Sequence, residues 1–246
     1  MLSAKLREGV VADNIANSQT VGYQALSSSV SSFGGKLIQL IPGGAGSVLD
    51  PSGLKLGTLA AGAMVNSTQL VLTPGPLQQS SNPLAAAIRG AGMFAVQTPA
   101  GTLYTRAGNF HVNGTAELVN AQGQPVLGAN GLPVRIPPGA GTLRISPDGA
   151  LVRGGQTVGQ VAVFLPPTGG LQPVGQELYS LPAGAAPVAA APAKLAPGFL
   201  EGSNVDVTGQ MASLLQIQQV FGADVDALQV ANNTMRTAQT QVGAVN

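Results

Sequence analysis

Cysteine and tryptophan are absent from this 246-residue chain, and histidine occurs once. Without cysteine there is no disulfide, no thiolate nucleophile and no cysteine-ligated metal. The single His111 falls in a stretch that reads as a strand, where a half-exposed structural role is expected; one imidazole alone furnishes no transition-metal site. Charge is scarce as well. Charged residues make up 9% of the chain and the net charge is +1, against a typical charged share of about 25%. That excludes a strong basic patch for nucleic acid and a polybasic membrane anchor. Aromatic residues are 4%, too few for a platform that stacks bases or sugars. No apolar run reaches the roughly 18 residues of a membrane-spanning helix. Met1–Ala12 carries Lys5, Arg7 and Glu8 and lacks the apolar run of a signal peptide.

Catalytic patterns are missing too. A Ser-His-Asp triad would have to use His111, and no serine sits in a G-x-S-x-G context. The ten acidic residues are scattered, and Asp224 and Asp226, two apart on a predicted helix, point in different directions. Gly90-Ala91-Gly92-Met93-Phe94-Ala95 superficially matches a dinucleotide fingerprint, but an alternating strand follows where that motif needs a helix. These glycines read as bend or bulge positions. The expectation is a structural or binding chain and not an enzyme, with no catalytic residue, no cofactor and no metal.

What the chain has in quantity is glycine and proline, 34 and 18 residues, falling mostly between positions 34 and 198. Short apolar runs lie between them: Ala85–Ile88, Met93–Gln97, Thr102–Arg106, Phe110–Val112, Leu118-Val119, Val126-Leu127, Val134–Ile136, Leu143–Ile145 and Val161–Leu165. Turn signals recur at Asn113-Gly114, Gln122-Gly123, Asn130-Gly131, Asp148-Gly149 and Gly154-Gly155. Strands at this spacing predict an antiparallel sandwich or barrel. Ala183–Pro197, interrupted by three prolines, reads as a linker or loop.

Helices are predicted at both ends. Leu2, Leu6, Val10 and Ile15 recur at near-helical spacing, and Ser18 to Gly22 ends that helix near Asn17. From Asp206 to about Thr240 a seven-residue repeat runs in two columns. One reads Met211, Gln218, Val225, Asn232, Gln239; the other reads Leu214, Phe221, Leu228, Met235, Val242. A helix of this length is a rod of roughly 50 Å. Its outer face is Gln, Ser, Thr, Asn and Ala with few charges, which suits contact with further protein. The expected fold is mainly β with terminal α-helices: an antiparallel β domain inserted between N- and C-terminal helices that form a coiled-coil-like bundle. The expected domains are 1–26 with 204–246, an irregular connecting region at 27–75 with short strands, and the β domain at 76–203.

Three separated stretches carry a resemblance. The first is Asp13-Asn14-Ile15-Ala16-Asn17-Ser18-Gln19-Thr20-Val21-Gly22-Tyr23. The second runs from Asn82-Pro83-Leu84 through Gly90, Gly92 and Phe94, then Tyr104-Thr105-Arg106-Ala107-Gly108-Asn109-Phe110, to Gly123 and Pro125-Val126-Leu127-Gly128. The third is Gly198-Phe199-Leu200-Glu201-Gly202-Ser203-Asn204-Val205-Asp206, directly before the long helix. Together, in this order and spacing, they resemble the flagellar axial family that builds the bacterial rod and hook.

The resemblance implies a basal-body rod subunit that self-assembles with related axial proteins into the tube carrying torque from motor to hook. It implies as partners itself and other rod and hook subunits, with no nucleic acid, no small-molecule substrate and no membrane insertion. It also implies export by the flagellar secretion apparatus and a place in the periplasm-spanning rod. The short insert favours a rod over a hook subunit, of the proximal or the distal type, with length leaning slightly to the proximal. The competing expectation is a non-catalytic surface or binding module whose β domain recognises a ligand while the helices dimerise.

Roles can be assigned within these stretches. The helix seam is expected at Leu2, Leu6, Val10, Ile15, Met211, Leu214, Phe221, Val225, Leu228 and Met235. Asn14, Ala16, Asn17, Thr20, Gly22 and Tyr23 form the first motif, with Gly22 leaving the helix through positive φ and the asparagines bonding backbone groups. Arg106 is expected to pin a turn; Leu200, Glu201, Ser203, Asn204 and Val205 lead to Asp206, a candidate N-cap. Gly209 is expected to cost the long helix about 1 kcal/mol relative to alanine. Gln24 stands where the family commonly has a basic residue, and Ala85 where it often has Asp. The family usually has ten or more residues before the position of Met1, so a truncated or misassigned start is expected.

Overall fold

The computed structural model describes residues 2–32, 36–39, 55–59, 63–165, 171–175, 177–182, 184, 188–189 and 194–243. It is mostly β, with antiparallel sheets and a helix at each end. Two compact units emerge: residues 1–10, 28–68 and 213–246 form one, and residues 11–27 and 69–212 the other.

In the second unit a six-stranded antiparallel sheet runs in the order Gln172–Gly175, Leu178–Ser180, Gly101–Thr105, Met93–Thr98, Val163–Leu165, Val188–Ala189. Met93–Thr98 lies inside this sheet and shows why it forms there. Alternate side chains of a strand face opposite ways, and here both ways lead into protein. Phe94 and Val96 enter one apolar cluster, with Leu84, Phe110 and Leu151. Met93 and Ala95 enter another, with Tyr104, Phe164 and Tyr179. Phe94 meets Phe110 edge-on, 4.9 Å between ring centres.

Several predicted strands stand, and some differ. Val126-Leu127 and Val134–Ile136 make only isolated bridges. A three-stranded antiparallel sheet of Leu143–Ile145, Ala150–Arg153 and Gln156–Gln160 uses the Gly154-Gly155 turn to add two strands that the apolar-run reading passed over. The linker reading of Ala183–Pro197 fails at its end: Leu195–Pro197 pairs antiparallel with Ala86–Ile88, and Leu195 and Ala196 are buried. Proline ends that strand, where its missing N–H costs nothing. The rest of that stretch lies largely outside the described residues.

In the stretch expected to be irregular with short strands, the described residues form short strands. Its strands pair as Leu26–Ser32 with Ala63–Leu70 and Lys36–Gln39 with Lys55–Leu59. Main-chain pairing needs no apolar side chain, so a serine-rich strand carries little signal.

The N-terminal helix, α1, spans Leu2–Ala16. Asn17 Nδ2 donates to the Asp13 carbonyl at 2.9 Å and Ser18 Oγ to that of Ile15 at 2.8 Å, adding side-chain bonds to the backbone ones that these carbonyls accept at the helix end. The C-terminal helix, α2, spans Val207–Gly243, 37 residues, about 55 Å at 1.5 Å per residue.

Candidate functional site: a buried polar junction

Residues of all three motif stretches meet inside the second unit, around Glu201. This carboxylate is fully buried, with Gln24 at 0% and Arg106 at 2% exposure beside it. Arg106 Nη1 donates to Glu201 Oε1 at 2.8 Å. Gln24 Nε2 and the Gly75 N–H donate to the same oxygen, each at 3.1 Å. The rest of the guanidinium turns to the backbone: Nε donates to the Gly92 carbonyl at 3.1 Å and Nη2 to that of Gly90. Arg106 therefore bonds both ends of the Gly90–Gly92 bend, and its charged partner is the glutamate 95 residues on. Glu201 Oε2 is buried and accepts no hydrogen bond among the described residues.

Two asparagines extend the junction. Asn14, 1% exposed on the last turn of α1, exchanges bonds with the Leu26 backbone, receiving its N–H at 2.9 Å and donating to its carbonyl at 2.8 Å. The Tyr23 hydroxyl donates to Asn14 Oδ1 at 3.2 Å, and Asn14 Nδ2 donates to Gln210 at 3.3 Å. Asn204 accepts the Ala25 N–H at 2.7 Å and donates to the Val71 and Thr73 carbonyls at 2.7 and 2.9 Å. One residue thus ties the chain leaving α1 to the segment entering α2. The Gly22 N–H donates to the Glu201 carbonyl at 2.7 Å. Gly22 has φ of +75°, and a Cβ there would stand 2.2 Å from the Ala107 nitrogen. The position needs glycine on both counts.

Two further residues belong here. Gln24, noted only because the family commonly has a basic residue there, is a core hydrogen-bonding group. Tyr179, whose hydroxyl accepts the Gln24 N–H at 2.9 Å, had no signal beyond an aromatic in a proline-rich stretch. Burial pushes the Tyr23 phenol from 10.0 up to about 12, with the Asp13 charge adding to it. Burial also raises Tyr179. Both phenols stay protonated at neutral pH and work as hydrogen-bonding groups.

The remaining motif residues divide by role. Tyr104, Thr105 and Phe110 are buried in the β unit, and Gly108 lets the Ala86 carbonyl approach to within 1.7 Å of where a Cβ would be. Thr20 bonds Asn17; Ser203 Oγ accepts the Val205 N–H at 3.3 Å. Ala16 is exposed, and Leu200 is half-buried in the strand Phe199–Glu201, which pairs with Leu77–Gln79. The Asp206 carboxylate lies over the first turn of α2, its Oδ2 2.6 Å from where a Cβ on Gly209 would sit, so an alanine at 209 would have to displace that flexible carboxylate.

The predicted helix seam lies differently in the single chain. Met211, Phe221, Leu228 and Met235 are exposed by 43–61%, and Leu6 by 51%. Val10, Ile15, Leu214 and Val225 are half-buried; the side chains of Leu2, Gln239 and Val242 lie outside the described residues. The buried positions are Val11 and Asn14 on α1 and Ile217 on α2. His111 is exposed in the strand His111–Val112. Among the described residues no group of three or more His, Cys, Asp or Glu could hold a metal.

Comparison with known proteins bears on the whole chain. The family described as flagellar hook protein FlgE/F/G D1 domain matches residues 87–152, and that described as flagellar basal body rod FlgEFG protein C-terminal matches residues 196–241. The chain is 31% identical over 222 residues to the flagellar basal-body rod protein FlgF of Mesorhizobium japonicum, covering 89% of this chain and 85% of that protein. It is 33% identical to FlgG of Bacillus subtilis, covering 86% and 84%, and 29% identical to FlgF of Caulobacter vibrioides, covering 96% and 92%.

Proposed function

Because the chain belongs to the family of flagellar basal-body rod proteins, we propose that it works as a structural subunit of the rod, packed with like and related axial subunits into a torque-carrying tube. The observation that carries this is likeness to rod proteins at about 30% identity over most of both chains. The buried junction supports it mechanically. Within the second unit the buried Glu201–Arg106–Gln24 cluster, with Asn14 and the half-buried Asn204, joins the end of α1 to the segment entering α2 by charged and neutral hydrogen bonds.

The remaining parts of the reading follow from this one. Residues 1–26 and 204–246 act as the helical assembly domain, 27–75 as the connecting region and 76–203 as an inserted β domain. In the rod, α1 and α2 take part in a coiled-coil-like bundle, and the exposed seam of α2 is covered by other axial subunits. The chain reaches the periplasm-spanning rod through the flagellar secretion apparatus, catalyses nothing and needs no cofactor. The test is a deletion of its gene in its own bacterium, complemented by a tagged copy. The expected result is loss of rods and motility, with the tag recovered in isolated basal bodies after complementation. Normal rods in the deletion strain overturn the reading.

A further inference from the structure

In a chain so poor in charge, groups left without an opposite partner stand out. Arg106–Glu201 and Arg135–Glu117 are paired. Arg89 and Lys194 take part in neither. The Arg89 N–H donates to the Lys194 carbonyl at 2.8 Å, continuing the pairing of Ala86–Ile88 with Leu195–Pro197. Cross-strand neighbours project from the same face about 5 Å apart, so two exposed cations stand side by side on the β unit.

The same unit carries a cleft of the opposite sign. Asp13, Asn17, Tyr23, Val174, Glu177 and Tyr179 line it, with a volume of about 570 Å³. Its two titratable carboxylates are Asp13 and Glu177, and no cation is among the described residues lining it. Asp13 is exposed and acts electrostatically on Tyr23; Glu177 acts on Tyr179. The Glu177 backbone is left-handed, φ 52°, a conformation that costs a non-glycine residue. It places the carboxylate half-buried, held by Gln122 Nε2 at 2.8 Å, where burial raises its pKa. On the rim Val174 is 56% exposed, an apolar surface suited to the stem of a long basic side chain.

We propose that this cleft receives the Arg89–Lys194 pair of a second copy of the chain. The contact rests on the rod-subunit reading. It joins two different patches, so it is head-to-tail, the class of contact from which an open helical array is built when the rotation between copies does not close a ring. Two carboxylates facing two cations fix the register between copies, and the partly desolvated Glu177 gives the pair more weight than a fully exposed one.

The test uses charge reversal in the full chain. One variant carries Asp13→Lys and Glu177→Lys, the other Arg89→Glu and Lys194→Glu; sedimentation at low ionic strength reads self-association. Each variant alone is expected to associate at least about tenfold more weakly than the native chain. The equimolar mixture is expected to recover, because each reversed patch then meets a complementary one. Melting curves show whether each variant is folded.

Should a reversal unfold the chain, Glu177→Cys and Arg89→Cys replace it. In this cysteine-free protein the mixed pair is expected to form an intermolecular disulfide on oxidation. Unchanged association in both reversals, no recovery in the mixture, no cross-link, or a native chain that never self-associates overturns the proposal. The first three leave the rod reading standing, since rods in the complemented strain are scored separately.

Discussion

Glu201 carries its charge where water does not reach, and that decides what substitutions around it do. Removing one member of a buried ion pair leaves the other charge uncompensated, a loss of about 3–5 kcal/mol. Arg106→Ala strips Glu201 of its one cation among the described residues and frees the Gly90 and Gly92 carbonyls. We expect it to destabilise the β unit by that amount, read as a fall in the midpoint of urea unfolding with little change in slope. A variant as stable as the native chain would mean that Gln24 and Gly75 suffice for the carboxylate.

Tyr23 gives a pH-dependent signature. Its phenol is raised from 10.0 to about 12 in the fold, so the folded state holds that proton more tightly than the unfolded chain. The stability linked to it is complete below pH 10 and is lost as pH rises towards 12. Tyr23→Phe removes the hydrogen bond to Asn14, worth about 1 kcal/mol at neutral pH, and is expected to flatten the alkaline decline between those values. An unchanged alkaline profile would assign the decline to Tyr179 or other groups.

At the scale of the element, α2 is the case to explain. It is 37 residues long, yet among the described residues Ile217 is its one buried apolar side chain. Leu215, Val220, Phe221, Leu228, Val230 and Met235 are all exposed. Exposed apolar side chains in this number fit the proposed packing of α2 against other protein in an assembly. Changing Leu214 and Leu228 to Asp is expected to abolish assembly while the β unit melts as before. Filaments in the double mutant would show that the heptad column does not form the seam. The heptad period was legible because it is a local property of spacing. Which column is covered was not: Met211 and Gln218 are exposed while Ile217, outside both columns, is buried. A shift of one residue turns a helical side chain by about 100°, and the chain's own sequence does not state what packs on it.

At the scale of the molecule, the unit of residues 11–27 and 69–212 holds both apolar clusters and the polar junction, whereas α2 beyond Ala212 offers mostly exposed side chains. Limited proteolysis of dilute protein should therefore cut α2 first and leave a fragment that keeps Arg106 and Glu201 together, since a helix without tertiary support is marginal in water. Protection of α2 in the dilute state would mean that it is already packed before assembly.

Much of this was readable from the chain alone. Turn dipeptides, short apolar runs and two end helices set the mainly β class, because local conformation follows from local sterics and periodicity. The lack of cysteine and the lone histidine limited the chemistry for the same kind of reason: the groups were not there. The three motif stretches located the junction without explaining it. That Arg106 finds Glu201, that Gln24 is a core residue and that Tyr179 belongs to the same cluster depend on pairings 95, 177 and 155 residues apart. Such contacts leave no periodic trace. Only the tertiary fold, by closing those distances in a volume without water, turns scattered polar residues into one bonded network.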